Sequence, residues 1–306
     1  MTQKDTLFIG IDVGGTSCQA TAFSNDGKAL AHAQAASVNL GVDVSSVIVA
    51  LDSVLAQLTQ QLQLSIAQVP MGIGCAGFSH IDARQRLLLW AQQFPHCHIT
   101  SDIQIATLGA NGGGECAVVI VGTGSCGAQY QNKQFVQIGG HGLLLGDHGS
   151  GGWLGVQAIK HLLAVKEQCA PATLLSHTIA TFIAELNLGD ASLEQSLVQY
   201  FNQYSSHDFA LLAPSVFKCA QQGDAQALHL IETGLGHIEK LIRRVSANGT
   251  LPVFYVGGVV QPYLSLAQQY FPQHRLWSTE LQPCIHSPEY GAMLFARSCY
   301  QPPSFA

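Results

Sequence analysis

Charge is scarce in this 306-residue chain: Asp, Glu, Lys and Arg make up 10%, and only 13 residues are Lys or Arg. A net charge of −6 with no basic cluster argues against nucleic acid or an anionic membrane as the main partner. Long apolar runs are missing as well, and none reaches the roughly 18 residues of a membrane-spanning helix. The polar start Thr2-Gln3-Lys4-Asp5 leads straight into a strand pattern. It is unlike a signal peptide, so a cytoplasmic protein is expected. The nine cysteines include no CxxC pair, which predicts reduced thiols that mostly pack as small core residues. His96-Cys97-His98 does not make a zinc site, because adjacent residues rarely converge on one ion and no partner pair lies nearby. No GxxxxGK[ST] stretch occurs, which excludes a P-loop enzyme.

What the chain has is apolar residues and glycine. Hydrophobic residues make up 47% and glycines number 31, with a mean hydropathy of +0.22. That suffices for a sizeable core, and the length suits two domains. The organising stretch is Phe8-Ile9-Gly10-Ile11-Asp12-Val13-Gly14-Gly15-Thr16-Ser17, followed by an alternating run to Phe23 and the turn Ser24-Asn25-Asp26-Gly27. It reads as a strand, a glycine turn and a second strand. Gly14 and Gly15 let backbone N–H groups approach a phosphate, Thr16 and Ser17 add donors, and Asp12 at the strand end is placed to hold magnesium. An ordinary hairpin turn is the plainer alternative.

A second copy strengthens the phosphate reading. Val118 to Tyr130 reads VVIVGTGSCGAQY, and at an offset of 108 Gly122 matches Gly14, Ser125 matches Ser17, Cys126 matches Cys18 and Ala128 matches Ala20. Two such hairpins in register predict a duplicated domain with phosphates held between the copies.

Along the chain, Lys28 to Ala36 reads as a third strand. Asp43 caps a helix with Val44, Val47, Ile48, Leu51, Val54, Leu55 and Leu58 at helical period. Asn39 precedes it, as a turn former or a ligand contact. Met71 to Ala76 is a short strand. Ile99-Thr100-Ser101-Asp102 ends another, so Asp102 is either a general base at a strand edge or the N-cap of the helix that follows. Asn111-Gly112-Gly113-Gly114 marks a domain boundary. The glycine-rich segments 139–142 and 146–152 bracket Leu143, Leu144 and Leu145 around the carboxylate of Asp147, a composition suited to close backbone approach to a ligand. Helices follow from Trp153 to about Asn248, one of them capped by Asp224. Val253 to Val260 repeats the strand-then-glycines pattern with Gly257 and Gly258. Arg275-Leu276-Trp277 reads as a last strand, and Pro288-Glu289 opens a helix through Cys299.

With these residues in place the chain resembles the sugar-kinase, Hsp70 and actin superfamily. Within it, the chain resembles the N-acetylglucosamine kinase branch, whose family (BadF/BadG/BcrA/BcrD type) includes the activator ATPases of benzoyl-CoA reductase. The resemblance covers nearly the whole chain and rests on GIDVGGTS (10–17), SDIQIATLGA (101–110), GTGSCG (122–127), GGHGLLLGDHGSG (139–151) and YVGGVV (255–260) in order. It implies an α/β fold of two actin-like (duplicated ribonuclease H-like) domains around an interdomain cleft. One domain would comprise residues 1–110, joined by a C-terminal helix at 288–306, and the other residues 111–287.

The resemblance further implies a homodimer that phosphorylates an amino sugar at the 6-hydroxyl with ATP and Mg²⁺. Asp102 would be the catalytic base and Asp12 the magnesium residue. Asn39, Asp147, Gly140 and Thr123 would surround the sugar. Ala76 would stand there too, where eukaryotic-type N-acetylglucosamine kinases have a serine. Gly14, Gly15, Thr16, Ser17, Gly122, Thr123, Gly124 and Ser125 would contact phosphates, and Gly257 and Gly258 the adenosine. Ala76 and GTGSCG look more like bacterial glucosamine kinases, and GDHGSG with its leucines more like the N-acetylglucosamine enzymes. N-acetylglucosamine is the expected sugar, with glucosamine the alternative. The apolar residues flanking Asp147 suit an acetyl methyl, and a dehydratase- or reductase-activating ATPase is a more distant option.

Overall fold

The alternating first motif folds into a hairpin. In the computed structural model, which describes residues 6–37, 39–185, 195, 205–274 and 281–300, the order of strands and longer helices is as follows. The first part holds β1 (Phe8–Val13), β2 (Ser17–Phe23), β3 (Ala29–Ala36), α1 (Val44–Leu62), β4 (Met71–Cys75), α2 (Ile81–Ala91), β5 (Cys97–Ser101) and α3 (Asp102–Ala110). Then come β6 (Cys116–Val121), β7 (Ser125–Gln131), β8 (Gln134–Gly139), α4 (Gly151–Lys166), α5 (Leu174–Glu185), α6 (Ser206–Ala210), α7 (Ala213–Gln221) and α8 (Ala225–Val245). The chain continues with β9 (Val253–Val256), α9 (Val260–Tyr270), β10 (Leu281–Pro283) and α10 (Pro288–Cys299). It is an α/β protein. The strand expected at Arg275-Leu276-Trp277 lies outside the described residues.

Two compact units emerge. One comprises Met1–Cys116, Ala128–Phe135 and Cys284–Ala306, the other Ala117–Gly127 and Val136–Pro283. The first sheet runs in the order β3-β2-β1-β4-β5, the second in the order β10-β9-β6-β7-β8. Read from its other edge, the second sheet is the first one again, with β6, β7 and β8 in the places of β1, β2 and β3, and β9 and β10 in those of β4 and β5. β1 and β6 begin 108 residues apart and have six residues each; β2 and β7 begin 108 apart and have seven. The duplication read from the glycine turns therefore extends through the whole sheet. In both, the strand carrying the glycine turn pairs in parallel with its inner neighbour.

The pleat of β1 sorts its side chains between two faces. Ile9, Ile11 and Val13 enter a core with Val47, Leu51, Val54 and Leu58 of α1. Gly10 and Asp12 turn to the opposite face, where α3 and α10 pack. That face is built for close approach of a helix backbone. A Cβ on Gly10 would overlap the carbonyl of Glu289, and one on Gly72 of β4 would overlap that of Ala292. The second unit has its own core, from Val119 and Val121 through Leu154, Ile231, Ile238 and Tyr263. The Asp224 carboxylate caps α8 by accepting the Ala227 N–H (2.8 Å) and also takes the Leu175 N–H (2.9 Å).

Candidate active site

In the first unit, backbone hydrogen bonds hold three loop segments side by side at the carboxyl ends of β1 and β4. The Gly14 N–H donates to the Ser17 carbonyl (2.9 Å), the Ser37 N–H to Thr16 (3.2 Å), the Ala76 N–H to Val13 (2.8 Å) and the Leu40 N–H to Ala76 (3.0 Å). Asn39 and buried Ala76 are thereby neighbours, while Gly15 and Thr16 stand exposed at the turn and Ser17 begins β2. The Asn39 side-chain oxygen accepts the Gly41 N–H (2.9 Å), so its turn-forming role is present whatever else it contacts. Gly15 has open space wherever a Cβ would point and needs no left-handed φ. Nothing in the protein itself demands glycine there.

Asp102 does not cap α3. Ser101 does, its hydroxyl accepting the Gln104 N–H (3.2 Å), so Asp102 becomes the first helical residue. Burial raises the Asp102 pKa, opposed by hydrogen bonds from the N–H groups of Ile103 and of Asp102 itself. Asp12, on the glycine face of β1, is pushed up to about 7, first by burial and then by the charges of Glu289 and Asp102. Among the described residues no cationic side chain pairs with any of these three acids, and no three His, Cys, Asp or Glu side chains converge on one ion.

In the second unit the turn after β6 is clasped by the start of α4. The Gly151 N–H donates to Gly122 (2.8 Å) and the Gly152 N–H to Thr123 (3.0 Å), and the Ser125 hydroxyl donates to the His148 carbonyl (2.9 Å). Asp147 sits in this clasp with a left-handed φ of 54°, a conformation uncommon outside glycine and concentrated at functional sites. Burial raises its pKa, against a Ser125 backbone hydrogen bond and the nearby His141 and His148. A Cβ on Gly124 would stand 2.7 Å from Asp147 Oδ2, so that glycine makes room for the carboxylate. Gly140 follows β8, exposed, at φ 73°. The leucine run differs from expectation: Leu144 is 93% and Leu145 76% exposed. They reach into solvent from a turn closed by the Leu145 and Gly146 N–H groups on the Gly142 carbonyl, and these two form no apolar wall at Asp147.

The third glycine motif joins the second-unit group. The Val259 N–H donates to the Val121 carbonyl (3.2 Å), and Gly257 at φ 111° passes so close that a Cβ would overlap the same carbonyl. Gly122, Thr123 and Gly258 line a cavity of about 830 Å³ together with Phe217, Lys218 and Gln261. Its size lies within the range of small-molecule sites. Gly122 and Gly258, like Gly15, face open space where a Cβ would be.

Residues 9–296 match the BadF/BadG/BcrA/BcrD ATPase family. The chain belongs to that family. It is 28% identical over 296 residues to a Vibrio cholerae glucosamine kinase, covering 94% of this chain and 95% of that one. It is also 28% identical over 282 residues to a Dictyostelium discoideum N-acetyl-D-glucosamine kinase, covering 83% and 86%. Among solved structures, a candidate N-acetylglucosamine kinase from Chromobacterium violaceum superposes with a TM-score of 0.80 at 25% identity, over 96% of this chain and 99% of that one. A Streptomyces griseus glucokinase of the ROK family shares the fold at a TM-score of 0.54 and 17% identity, over 95% and 99%.

Two parts of this candidate site had no motif to announce them. The rest of the cavity lining comes largely from α6 and α7, whose lining residues are scattered in sequence; only an amphipathic pattern with a lone Lys218 at the end of α7 marks them. Glu289 reads as an ordinary acid in the first turn of a helix. Its one signal is the Gly291-Ala292 pair beside it, which lets the helix, and the carboxylate with it, sink against the sheet.

Proposed function

We propose that this chain is an ATP-dependent amino-sugar kinase, transferring the γ-phosphoryl group to the 6-hydroxyl of N-acetyl-D-glucosamine. The observation that carries the reading is Asp102. It is a half-buried carboxylate with a raised pKa at the end of β5, freed from capping by Ser101, in a chain of this ATPase family whose relatives include two amino-sugar kinases.

Each residue's task follows from phosphoryl-transfer chemistry, in which positioning and charge neutralisation dominate. Asp102 accepts the sugar hydroxyl proton as the new O–P bond forms. Asn39 and Asp147 hold sugar hydroxyls, and Ala76, Thr123 and Gly140 also contact the sugar. The turns at Gly14–Ser17 and Gly122–Ser125 offer N–H groups to phosphate oxygens, and the cavity beside Gly257 and Gly258 receives the adenosine. Open space at Gly15, Gly122 and Gly258 fits a ligand lying against the main chain. The site also fits magnesium, since Asp12 is a carboxylate near Asp102 and Glu289, and among the described residues no cationic side chain pairs with these acids. When bound, the ion neutralises phosphate charge, and Asp12 would hold it.

Glucosamine is the second reading, favoured by Ala76 and by the Vibrio relative. Asp43, one acid that could take its ammonium, is committed to capping α1 through Ser45 N–H (2.9 Å) and Ser46 Oγ (2.6 Å). A missing methyl contact is worth only about 1–3 kcal/mol, so both sugars are expected to react. The test is ADP release measured with glucosamine, N-acetylglucosamine, N-acetylmannosamine and glucose. A tenfold higher kcat/KM for glucosamine would reverse the assignment, and no sugar-dependent ADP release from any of them would overturn the kinase reading.

A further inference from the structure

Glu289 is 6% exposed, a rare state for a carboxylate without a partner. Neither a hydrogen bond nor an ion pair to its side chain is present among the described residues. Acids in the first turn of a helix complement the helix dipole and ordinarily do so in water. This one instead rides on a helix whose backbone is seated against Gly10, and Asp12 lies two residues further along the same face of β1. The Glu289 backbone and the Met293 N–H both meet the position of a Cβ on Gly10, so the first turn of α10 lies along β1 itself. Glu289 therefore stands beside the strand that carries Asp12. A second carboxylate on the face of Asp12, with no cationic side chain paired to either among the described residues, favours the arrival of a cation.

We propose that Glu289 is the second acid of the divalent-cation site, a positioning residue that strengthens cation binding at Asp12 from the first turn of α10. The inference rests on the assignment of magnesium to Asp12 above. Magnesium keeps several of its waters when bound by protein carboxylates, so an acid need not touch the ion to hold it. Carboxylates in such an outer position typically account for roughly 10–100-fold in metal affinity.

The test uses the full chain with a non-hydrolysable ATP analogue and manganese(II) as a paramagnetic probe, its binding followed by electron paramagnetic resonance without turnover. Glu289→Gln is expected to weaken manganese binding about 10–100-fold, Glu289→Asp to recover part of the loss, and the metal-free melting temperature of Glu289→Gln to stay level or rise. Unchanged manganese affinity in Glu289→Gln, a lower melting temperature with unchanged affinity, or an effect confined to the KM for sugar would each overturn the proposal. Loss of manganese binding in Asp12→Asn but not in Glu289→Gln would overturn it while leaving the Asp12 assignment standing. Equal binding by wild type and Asp12→Asn, or none by wild type, would remove the magnesium assignment and this inference with it.

Discussion

The two glycine hairpins share strand lengths and spacing, yet they carry opposite loads. In the first unit the strand entering the turn bears Asp12, and the face it occupies gathers Asp102 and Glu289. At the matching position of the second copy stands Ile120. There the acid arrives from outside the hairpin, as Asp147 beside Gly124, and the space next to the turn is a largely apolar cavity. Duplication preserved the backbone that offers N–H groups and let the side chains diverge, one copy toward charge and the other toward shape. The first hairpin suits a metal and a proton transfer, the second a nucleoside.

This contrast can be broken most sharply at Asp102. Asp102→Asn is expected to lower kcat by roughly 10²–10⁴-fold with sugar binding and melting temperature kept; near-normal turnover would reduce Asp102 to a structural acid. The glycines come next. Gly15→Val fills open space and should raise the KM for ATP by about tenfold, the equivalent of 1.4 kcal/mol, while leaving the KM for sugar alone. Gly124→Val instead presses on Asp147, so its KM for sugar should rise as well. Steady-state kinetics that gave both variants the same pattern would erase the distinction between the two turns.

A smaller effect is expected from pH. Asp12 has a folded pKa near 7 against an ordinary 3.8, so the folded state holds a proton that the unfolded state has lost between those values. Metal-free stability should therefore fall as pH rises from about 4 to about 7. Asp12→Asn should flatten that slope, a difference of at least a few degrees in melting temperature between its ends. Identical slopes for wild type and variant would mean that Asp12 is not held protonated. The least effect belongs to Ser101→Ala, which removes the α3 cap and should cost about 1 kcal/mol in denaturant unfolding with only a modest change in kcat. No loss at all would show that Asp102 can take over the cap.

Much of this was legible in the sequence, for physical reasons that differ by element. Helix α1 follows from the 3.6 period of Val44 to Leu58 and its Asp43 cap, and α8 from a similar stripe behind Asp224. The hairpins follow from alternation and glycine. Asp102 was ambiguous because Ser and Asp adjoin at the strand end and either can cap; only the coordinates assign the task to Ser101. Leu144 and Leu145 misled, while Leu143 packs against the second core, because an apolar residue in a loop says nothing about which way the loop turns. The cavity wall in α6 and α7 was illegible, since it depends on packing between distant segments.

The seat of α10 against Gly10 and Gly72 has a consequence for biogenesis. Strands β1 to β5 emerge from the ribosome well before residues 288–299 do, and without that helix the main chain at Gly10 and Gly72 lacks its cover. The second unit, made largely of residues between these two pieces, can fold while the first still waits. The order of synthesis and the order of completion thus run in opposite directions. Nascent chains stopped before α10 should bind chaperones through the β1–β4 face, and release should coincide with the arrival of the Gly291-Ala292 stripe.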